Sequence, residues 1–357
     1  MAAGLNKWLR MEMTPGERPL LSFVLLAFKQ ERFIREAVEA ALAQTYSPLE
    51  IILSDDCSSD RTFEIMQETV AAYRGPHKVV LNRTPENGGT VIAHLNQVMQ
   101  LVRGSLVVIA AGDDISLPER TESCYRAWSD SGRRSASIWS DYSVIDESGN
   151  LVGEKALRSN GDTPIRFEHL QARAVGVAAW RAEVAFGCTQ AWSAEIFRVF
   201  GPLPVISGLV NEDSPIFFRA ALLTGQATRI HTALVGYRRH SGNCSSGITV
   251  SGKVNVNKSS LTVAMRQREL RRLMAVAKCY WRDTRRARQL GLICSEDADL
   301  LAREVARSYR AFQFRAQLLE AGRAMRLMLV WKLARLGRAR KFVLRELCGA
   351  LRSAVKA

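Results

Sequence analysis

Strand-like and helix-like segments alternate through the first hundred or so residues, and this alternation limits the chain to few architectures. The apolar runs predict buried strands over 20–28, 49–54, 78–82 and 106–111, and the segments between them predict helices over 31–44, 62–74 and 89–102. Such a rhythm predicts an α/β fold with a mostly parallel sheet covered by helices. Ligands of these sheets bind at the carboxyl ends of the strands, so the residues that follow each strand are the first candidates for a site.

The rest of the chain is less regular. It predicts a strand over 136–145 with a turn over 146–150, helices over 191–200 and 214–223, and a late strand over 228–237. From about Ser251 onward the chain is rich in Arg and Ala and lacks turn signals, so we expect several helices there. The predicted organisation is an N-terminal segment 1–18, an α/β domain 19–250 and a basic helical region 251–357.

The net charge of +15 comes from the C-terminal region. Residues 252–357 carry 25 Lys and Arg against 8 Asp and Glu, whereas residues 1–251 carry 25 against 27. Few aromatic side chains accompany the C-terminal cations and the front part is not basic, so we expect no nucleic-acid partner. Residues 325–355 interleave cations with apolar side chains, which suits helices docked on an anionic membrane surface. Alternatively, their apolar face packs on the α/β domain or on a second copy in a homo-oligomer.

The seven cysteines are scattered and form no C-x-x-C pair, which favours reduced thiols over a disulfide framework or a zinc site. The first 18 residues lack the apolar centre of a signal peptide, and no apolar run has membrane-spanning length. We therefore expect a cytoplasmic protein, held peripherally on the inner face of the cell membrane if its C-terminal helices dock there.

Paired carboxylates follow two of the predicted strands. Asp55 and Asp56 come after the second strand and could accept hydrogen bonds from a base N–H or a ribose hydroxyl; the alternative is a polar turn in which Asp60 caps the next helix. Asp113 and Asp114 come after the fourth strand and suit a hard divalent cation, Mg²⁺ or Mn²⁺, whose shell diphosphate and water complete. A capping box of Ser116 and Glu119, with Pro118 in the first turn, would leave Asp114 free for this role.

Two later segments also carry candidate groups. Glu212 and Asp213 precede a predicted helix, where Asp213 could deprotonate an acceptor hydroxyl or simply cap the helix, and spacing alone favours the cap. His240 lies beside Arg238 and Arg239 in a loop after the late strand. It could bind phosphate or complete a metal shell, and a solvated basic turn is equally compatible with the pattern.

In this order and spacing, the motifs between Pro19 and Asn243 resemble the inverting family 2 glycosyltransferases, which have the GT-A fold. The resemblance implies transfer of a sugar from a nucleotide-diphosphate donor to an acceptor hydroxyl on a growing or lipid-linked glycan, as in bacterial polysaccharide or lipopolysaccharide assembly. It implies Asp213 with Glu212 as catalytic residues, and Asp114 with His240 as ligands of Mn²⁺ or Mg²⁺. The nucleotide-binding residues that it implies are Ala27, Phe28, Glu31, Asp55, Asp56, Asn87, Gly88 and Asp113.

The chain departs from the family pattern at two places. It has Leu26-Ala27-Phe28-Lys29 where the family usually has Pro-x-Tyr-Asn, and it has Ala111 where the metal motif often begins with an additional Asp. Phe28 can still stack on a base, whereas the polar contacts of the Asn are lost. Both changes bear on the identity of the donor more than on catalysis.

Other functions are compatible with parts of the sequence. A nucleotidyltransferase typically needs a Gly-rich loop after its first strand, and no glycine occurs between residues 20 and 74. A catalytically inactive nucleotide-sugar-binding protein would share the donor motifs, and donor turnover in the presence of acceptor distinguishes it from an enzyme. A nucleic-acid-binding protein that uses the basic tail leaves the acidic motifs unexplained.

Overall fold

A nine-stranded sheet forms the centre of the structure, a computed structural model that describes residues 18–152, 165–166, 187–209, 212–243 and 263–320. The strands are β1 (Leu21–Ala27), β2 (Leu49–Asp55), β3 (Lys78–Arg83), β4 (Leu106–Ala111), β5 (Ile115–Ser116), β6 (Ser137–Ile145), β7 (Ile165–Arg166), β8 (Gln190–Ser193) and β9 (Gln226–Arg238). The helices are α1 (Ile34–Leu42), α2 (Thr62–Ala71), α3 (Val91–Val98), α4 (Arg120–Asp130), α5 (Glu195–Phe200), α6 (Asp213–Thr224), α7 (Val263–Gln289) and α8 (Ser295–Glu320), and a short 3₁₀ turn spans Gly187–Thr189.

The strand order is β3-β2-β1-β4-β8-β6-β9-β5, with β7 paired to β9. Strands β1 to β4 are mutually parallel, and β8 enters antiparallel between β4 and β6. The predicted α/β alternation is therefore confirmed, and the sheet is mostly parallel. Its first four strands have their carboxyl ends at one edge.

Helices cover both faces of the sheet, which explains why its central strands are continuous apolar runs. In β1, Phe23 and Leu25 point into a core with α1, α2 and α4, whereas Val24 points into the opposite core with α3, α6 and the C-terminal helices. All three side chains are fully buried. Successive side chains of β1 therefore point to opposite faces of the sheet and contribute to two separate apolar cores.

Two local predictions were wrong. The helix predicted over 191–200 is divided: Gln190–Ser193 forms β8, because pairing with β4 and β6 buries it, and only Glu195–Phe200 is helical. The predicted capping box of Ser116 and Glu119 is absent, because Ser116 lies in β5 and its hydroxyl accepts a hydrogen bond from Arg120. The backbone pairing of β5 with β9 takes Ser116 away from the helix that it was expected to cap.

Helix α7 packs directly on the α/β part of the chain. Phe218 of α6 stacks on Tyr280 of α7 with ring centroids 4.0 Å apart, and Arg219 forms a two-point ion pair with Asp283. Both charged side chains are buried, with 0% and 1% of their surface exposed. The first helices of the C-terminal region thus share a core with the sheet. The proposed domain boundaries at 18/19 and 250/251 adjoin or lie within segments outside the described residues.

None of the helices in the described ranges combines the length and apolar character that a bilayer crossing needs. Residues 325–355, which carry the predicted membrane-docking pattern, lie outside the described part of the chain.

Substitution of Asp283 by Ala should destabilise the fold by about 3–5 kcal/mol, because it leaves the guanidinium of Arg219 buried without its counter-charge. Asp299→Ala is the matched control: Asp299 pairs with Arg288 at the surface, where such a pair contributes about 0–1 kcal/mol. Urea unfolding followed by circular dichroism measures both. If both variants lost the same free energy of unfolding, the buried pair would not stabilise the fold more than the surface pair.

Candidate active site

The carboxyl ends of β1, β2 and β4 bring three loops together. The sheet register pairs Ala27 with Asp55 and Leu26 with Ala111. Beyond the paired residues, the amide of Asp56 donates to the carbonyl of Ala27 at 2.9 Å, and that of Gly112 donates to the carbonyl of Leu26 at 3.0 Å. The loops that carry Phe28, Asp56 and Asp113 therefore begin side by side, as the sequence predicts for a parallel sheet.

Asp56 organises the loop after β3. Its carboxylate accepts hydrogen bonds from the Thr84 hydroxyl at 3.1 Å, the Gly88 amide at 3.0 Å and the Asn87 side chain at 3.1 Å. Asn87 in turn accepts from the amide of Gly89, which has a φ of +72°. The three donors occupy both lone-pair positions of Oδ1 and one of Oδ2, so a single acceptor position remains for a ligand. The structure thus joins predicted nucleotide-binding residues from two loops.

The carboxylates of Asp55 and Glu31 bind neighbouring residues at the same edge of the sheet. Asp55 is fully buried and accepts from both the amide and the hydroxyl of Ser58, so its carboxylate closes a turn and does not face solvent. Glu31 is exposed and accepts from the amide of Arg61 at 3.0 Å. Asp60 accepts from the Thr62 amide at 3.1 Å, but Arg61 occupies the N-cap position of α2 without a side-chain cap bond, so Asp60 lies one residue before the position that it was expected to occupy.

Phe28 is the exposed aromatic of this edge. Its side chain is 43% exposed, and the ammonium of Lys29 lies 5.3 Å from its ring centroid. Lys29 has a φ of 52°, a left-handed conformation that is uncommon for a residue with a side chain, and its amide donates to the Ser58 hydroxyl. The turn after β1 therefore holds Phe28 out of the core with a ring face available.

Asp113, Asp114 and His240 meet where the loop after β4 contacts the end of β9. His240 Nε2 lies 3.0 Å from Asp113 Oδ2, whereas Asp114 Oδ1 accepts the backbone amide of Arg238 at 2.9 Å. His240 thus pairs with Asp113, and not with Asp114, the carboxylate predicted to share a cation with it. Within the described ranges, no group of three or more His, Cys, Asp and Glu side chains is arranged to hold a metal ion.

Asp114 is buried next to a second carboxylate, that of Asp113. Burial, and next the charge of Asp113, raise the pKa of Asp114 to about 8, although hydrogen bonds from the Arg238 amide and the Cys188 thiol oppose the shift. A carboxylate in such a position is stabilised by any added positive charge.

Glu212 and Asp213 form a second buried pair at the start of α6. Burial, and next the charge of Asp213, raise the pKa of Glu212 to about 8, and burial also raises the pKa of Asp213. The hydrogen bond between the two side chains favours the proton on Glu212 and the charge on Asp213. Asp213 is the first helical residue and Glu212 occupies the N-cap position without a side-chain cap bond, so the predicted capping role of Asp213 is wrong.

The turn Gly187–Thr189 connects the two carboxylate pairs. The amide of Gly187 donates to Asp213, and the thiol of Cys188 hydrogen-bonds to Asp114. A Cβ on residue 187 would lie 2.5 Å from Glu212 Oε1 and 2.6 Å from Asp213 Oδ1, so only glycine fits against the pair. Adjacent residues of one turn therefore touch the candidate base and the candidate metal ligand.

Comparisons with known proteins show what the chain is similar to. Residues 22–180 match the sequence model of the family described as "Glycosyl transferase family 2". The chain is 33% identical over 104 residues to the putative glycosyltransferase EpsE of Bacillus subtilis, a match that covers 29% of this chain and 36% of EpsE. The chain spans roughly a third of the length of the curated relatives that it matches.

Solved structures share the fold. S. aureus TarS 1-349, crystallised in complex with UDP-GlcNAc, aligns with a TM-score of 0.50 and 14% identity over 82% of this chain and 91% of that one. The mannosyltransferase PcManGT from Pyrobaculum calidifontis, in complex with GDP-Man and Mn²⁺, aligns with a TM-score of 0.50 and 15% identity over 92% and 85%. Over residues 22–180 the chain is therefore similar to the family 2 glycosyltransferases. The fold and the resemblance predicted from the motifs are thereby confirmed.

Two features of the candidate site were not predicted from the sequence. Arg238 was read as part of a basic turn, but it is fully buried and its side chain donates to Asp113, Glu147 and Glu36. An arginine at the end of a largely apolar strand is the signal that indicates such a role. The Gly187–Cys188 turn gave no comparable signal, because a single glycine and a single cysteine carry little information.

The pH dependence of stability should reveal the Glu212 pair. A carboxyl group whose pKa is raised from 4.5 to about 8 on folding binds its proton more tightly in the folded state. The free energy of unfolding of metal-free protein should therefore fall as the pH rises from about 5 to 8, by up to about 1.4 kcal/mol per pH unit for each such proton. Glu212→Gln should flatten this slope in urea unfolding, whereas Glu119→Gln, at an exposed site, should not. An unchanged slope in Glu212→Gln would contradict the raised pKa.

Proposed function

We propose that this chain is an inverting, metal-dependent glycosyltransferase that moves a sugar from a nucleotide-diphosphate donor to an acceptor hydroxyl. The observation that supports this most directly is the turn at Gly187 and Cys188, which contacts Asp213 on one side and Asp114 on the other. A base for the acceptor and a binding group for the diphosphate must lie this close together for a direct displacement at the anomeric carbon.

The nucleotide would bind over the ends of β1 and β2. The exposed ring of Phe28 offers a face for the base, and the remaining acceptor position of Asp56 can take a base N–H. The structural neighbours TarS and PcManGT carry UDP-GlcNAc and GDP-Man. A nucleotide-diphosphate sugar is therefore the donor class that we assign to this chain.

The residues at the ends of β4 and β9 supply donors that suit a divalent cation. Asp113 and Asp114 carry hard oxygens and His240 carries a nitrogen, donor types that Mn²⁺ and Mg²⁺ accept. The described residues contain no cluster of three or more metal-ligating side chains. This agrees with a cation that is held by one or two carboxylates and by the phosphates of the substrate. When bound, the cation would neutralise charge that develops on the leaving diphosphate. PcManGT was crystallised with Mn²⁺.

Asp213 would act as the general base. Its carboxylate takes the proton of the acceptor hydroxyl while the oxygen forms a bond to the anomeric carbon, and the bond from that carbon to the diphosphate breaks on the opposite face. Burial makes Asp213 a stronger base than an exposed aspartate, and the proton held by Glu212 keeps the neighbouring charge low. The Gly187 amide fixes the direction of the carboxylate.

Asp213→Asn should lower turnover by about 10²-fold or more, because the amide keeps the size of the side chain but cannot accept the proton. Glu212→Gln is the control, since its amide can still donate to Asp213, and it should retain more of the activity. Donor turnover with a panel of acceptors measures the rates, and NMR of the product should show the anomer opposite to that of the donor. Normal transfer by Asp213→Asn, or retention of configuration, would refute the assignment.

Asp114→Asn should weaken Mn²⁺ binding in the presence of nucleoside diphosphate and remove most donor turnover, because a neutral amide holds a hard cation less well than a carboxylate. Asp130→Asn, which changes an exposed aspartate at the end of α4, should bind Mn²⁺ like the wild type. Titration calorimetry measures binding independently of activity. Full activity of the wild type in excess EDTA would show that no metal is needed.

A growing or lipid-linked glycan is the proposed acceptor. Residues 325–355 would hold the enzyme on an anionic membrane surface where a lipid-linked acceptor is confined, or would pair two copies of the chain.

A further inference from the structure

A basic cleft lies between the end of α5 and the second half of α7. It has a volume of about 480 Å³, and Val199, Phe200 and Gly201 form part of its wall. Four arginines and one tryptophan also line it, namely Arg198, Arg282, Arg285, Arg286 and Trp281. None of the described residues that line it is acidic.

The charge of the cleft is only partly compensated. Arg198 pairs with Glu195, and Arg286 donates to the carbonyl of Val199 at 3.4 Å. Arg282 and Arg285 are exposed and form no ion pair with any carboxylate of the described residues. The nearest acid along the helix, Asp283, is buried and already bound to Arg219.

Trp281 and Arg285 form the outer part of the cleft. Trp281 is 46% exposed, and the guanidinium of Arg285 lies 4.7 Å from its ring centroid. Stacking holds a guanidinium in a defined plane and leaves its N–H groups free to donate to carboxylate or phosphate oxygens. An exposed indole beside them provides an apolar surface against which a sugar ring can pack.

Helix α7 connects this cleft to the proposed catalytic centre. Arg272 of α7 lies close enough to Asp213 for the two charges to interact. Arg282 follows ten residues later, which corresponds to about 15 Å along a helix. That distance matches a few sugar units of an extended glycan.

We infer that the cleft lined by Arg198, Arg282 and Arg285 binds carboxylate or phosphate groups of the acceptor glycan, so that the acceptor is an anionic chain several sugars long. The inference rests on the proposed function, because the acceptor end of that chain must reach Asp213. Residues 321–357 do not suit the cleft, since they carry 10 Lys and Arg and a single Glu and are repelled by it. A concave cleft also fits separate anionic groups on a chain better than it fits a flat lipid surface.

The test compares two oligosaccharides of equal length, hexa-galacturonate, with a carboxylate on every sugar, and neutral maltohexaose. Full-length wild type should bind hexa-galacturonate in calorimetry and not maltohexaose, and binding should weaken as salt is added. Arg282→Gln/Arg285→Gln should weaken the binding about ten-fold or more, because two charge-assisted hydrogen-bonding groups are lost. Arg303→Gln/Arg310→Gln removes the same charge from exposed positions on α8 and should bind like the wild type.

Equal affinity of the two double variants for hexa-galacturonate, or no binding by the wild type, would overturn the inference. Binding to vesicles of anionic lipid that is lost only in Arg282→Gln/Arg285→Gln, without hexa-galacturonate binding, would assign the cleft to a membrane instead. Affinity for UDP-GlcNAc and GDP-Man with Mn²⁺ is measured in parallel. If the wild type bound neither donor, the proposed function would be refuted. Arg282→Gln/Arg285→Gln should bind the donors like the wild type. Failure of the inference about the cleft can therefore be distinguished from failure of the proposed function.

Discussion

The geometry of the candidate site depends on one buried arginine. Arg238 ends β9, and its guanidinium donates to the carbonyls of Asp113 and Glu147 and to the carboxylate of Glu36 on α1. Its backbone amide binds Asp114, and its guanidinium also lies 5.0 Å from the ring centroid of Phe33. One side chain therefore joins the loop after β4, the turn after β6 and the first helix. An arginine suits this position because a planar fork of five N–H groups can satisfy several acceptors at once.

Burial of charge is the common feature of this domain. Three arginines are fully buried, namely Arg120, Arg219 and Arg238. Asp114 and Glu212 are almost fully buried. The arginines donate to carbonyls or to a carboxylate, as in the pair of Arg219 with Asp283, although the buried Nε of Arg120 has no hydrogen-bond partner among the described residues. The two carboxyl groups instead have strongly raised pKa values, which is costly for folding and is typical of groups that act on a ligand. The contrast separates the buried arginines, whose charge is paired within the fold, from the two carboxyl groups that we propose to act in the site.

The parts that could be predicted from sequence are those governed by local pattern. The strand Leu106–Ala111 was predicted with its observed bounds, and the edge where Phe28, Asp56 and Asp113 meet followed from the parallel alternation. Strand β8 could not be found in this way, because Gln190–Ser193 is extended only through pairing with β4 and β6, which come from distant parts of the chain. For the same reason Ser116 has a capping sequence but a strand conformation.

The two carboxylate pairs lie close together because of the order of the strands, which the sequence pattern does not predict. Asp114 and Asp213 are 99 positions apart in the numbering, and nothing in their neighbouring residues indicates that the two lie close together. The insertion of β8 between β4 and β6 brings the turn at Gly187 and Cys188 to the end of β4, beside the start of α6. The amide of Gly187 then donates to Asp213, and the thiol of Cys188 contacts Asp114. The displacement that we propose would need a fixed spacing between acceptor and leaving group, and the sheet order brings the two carboxylate pairs to one turn.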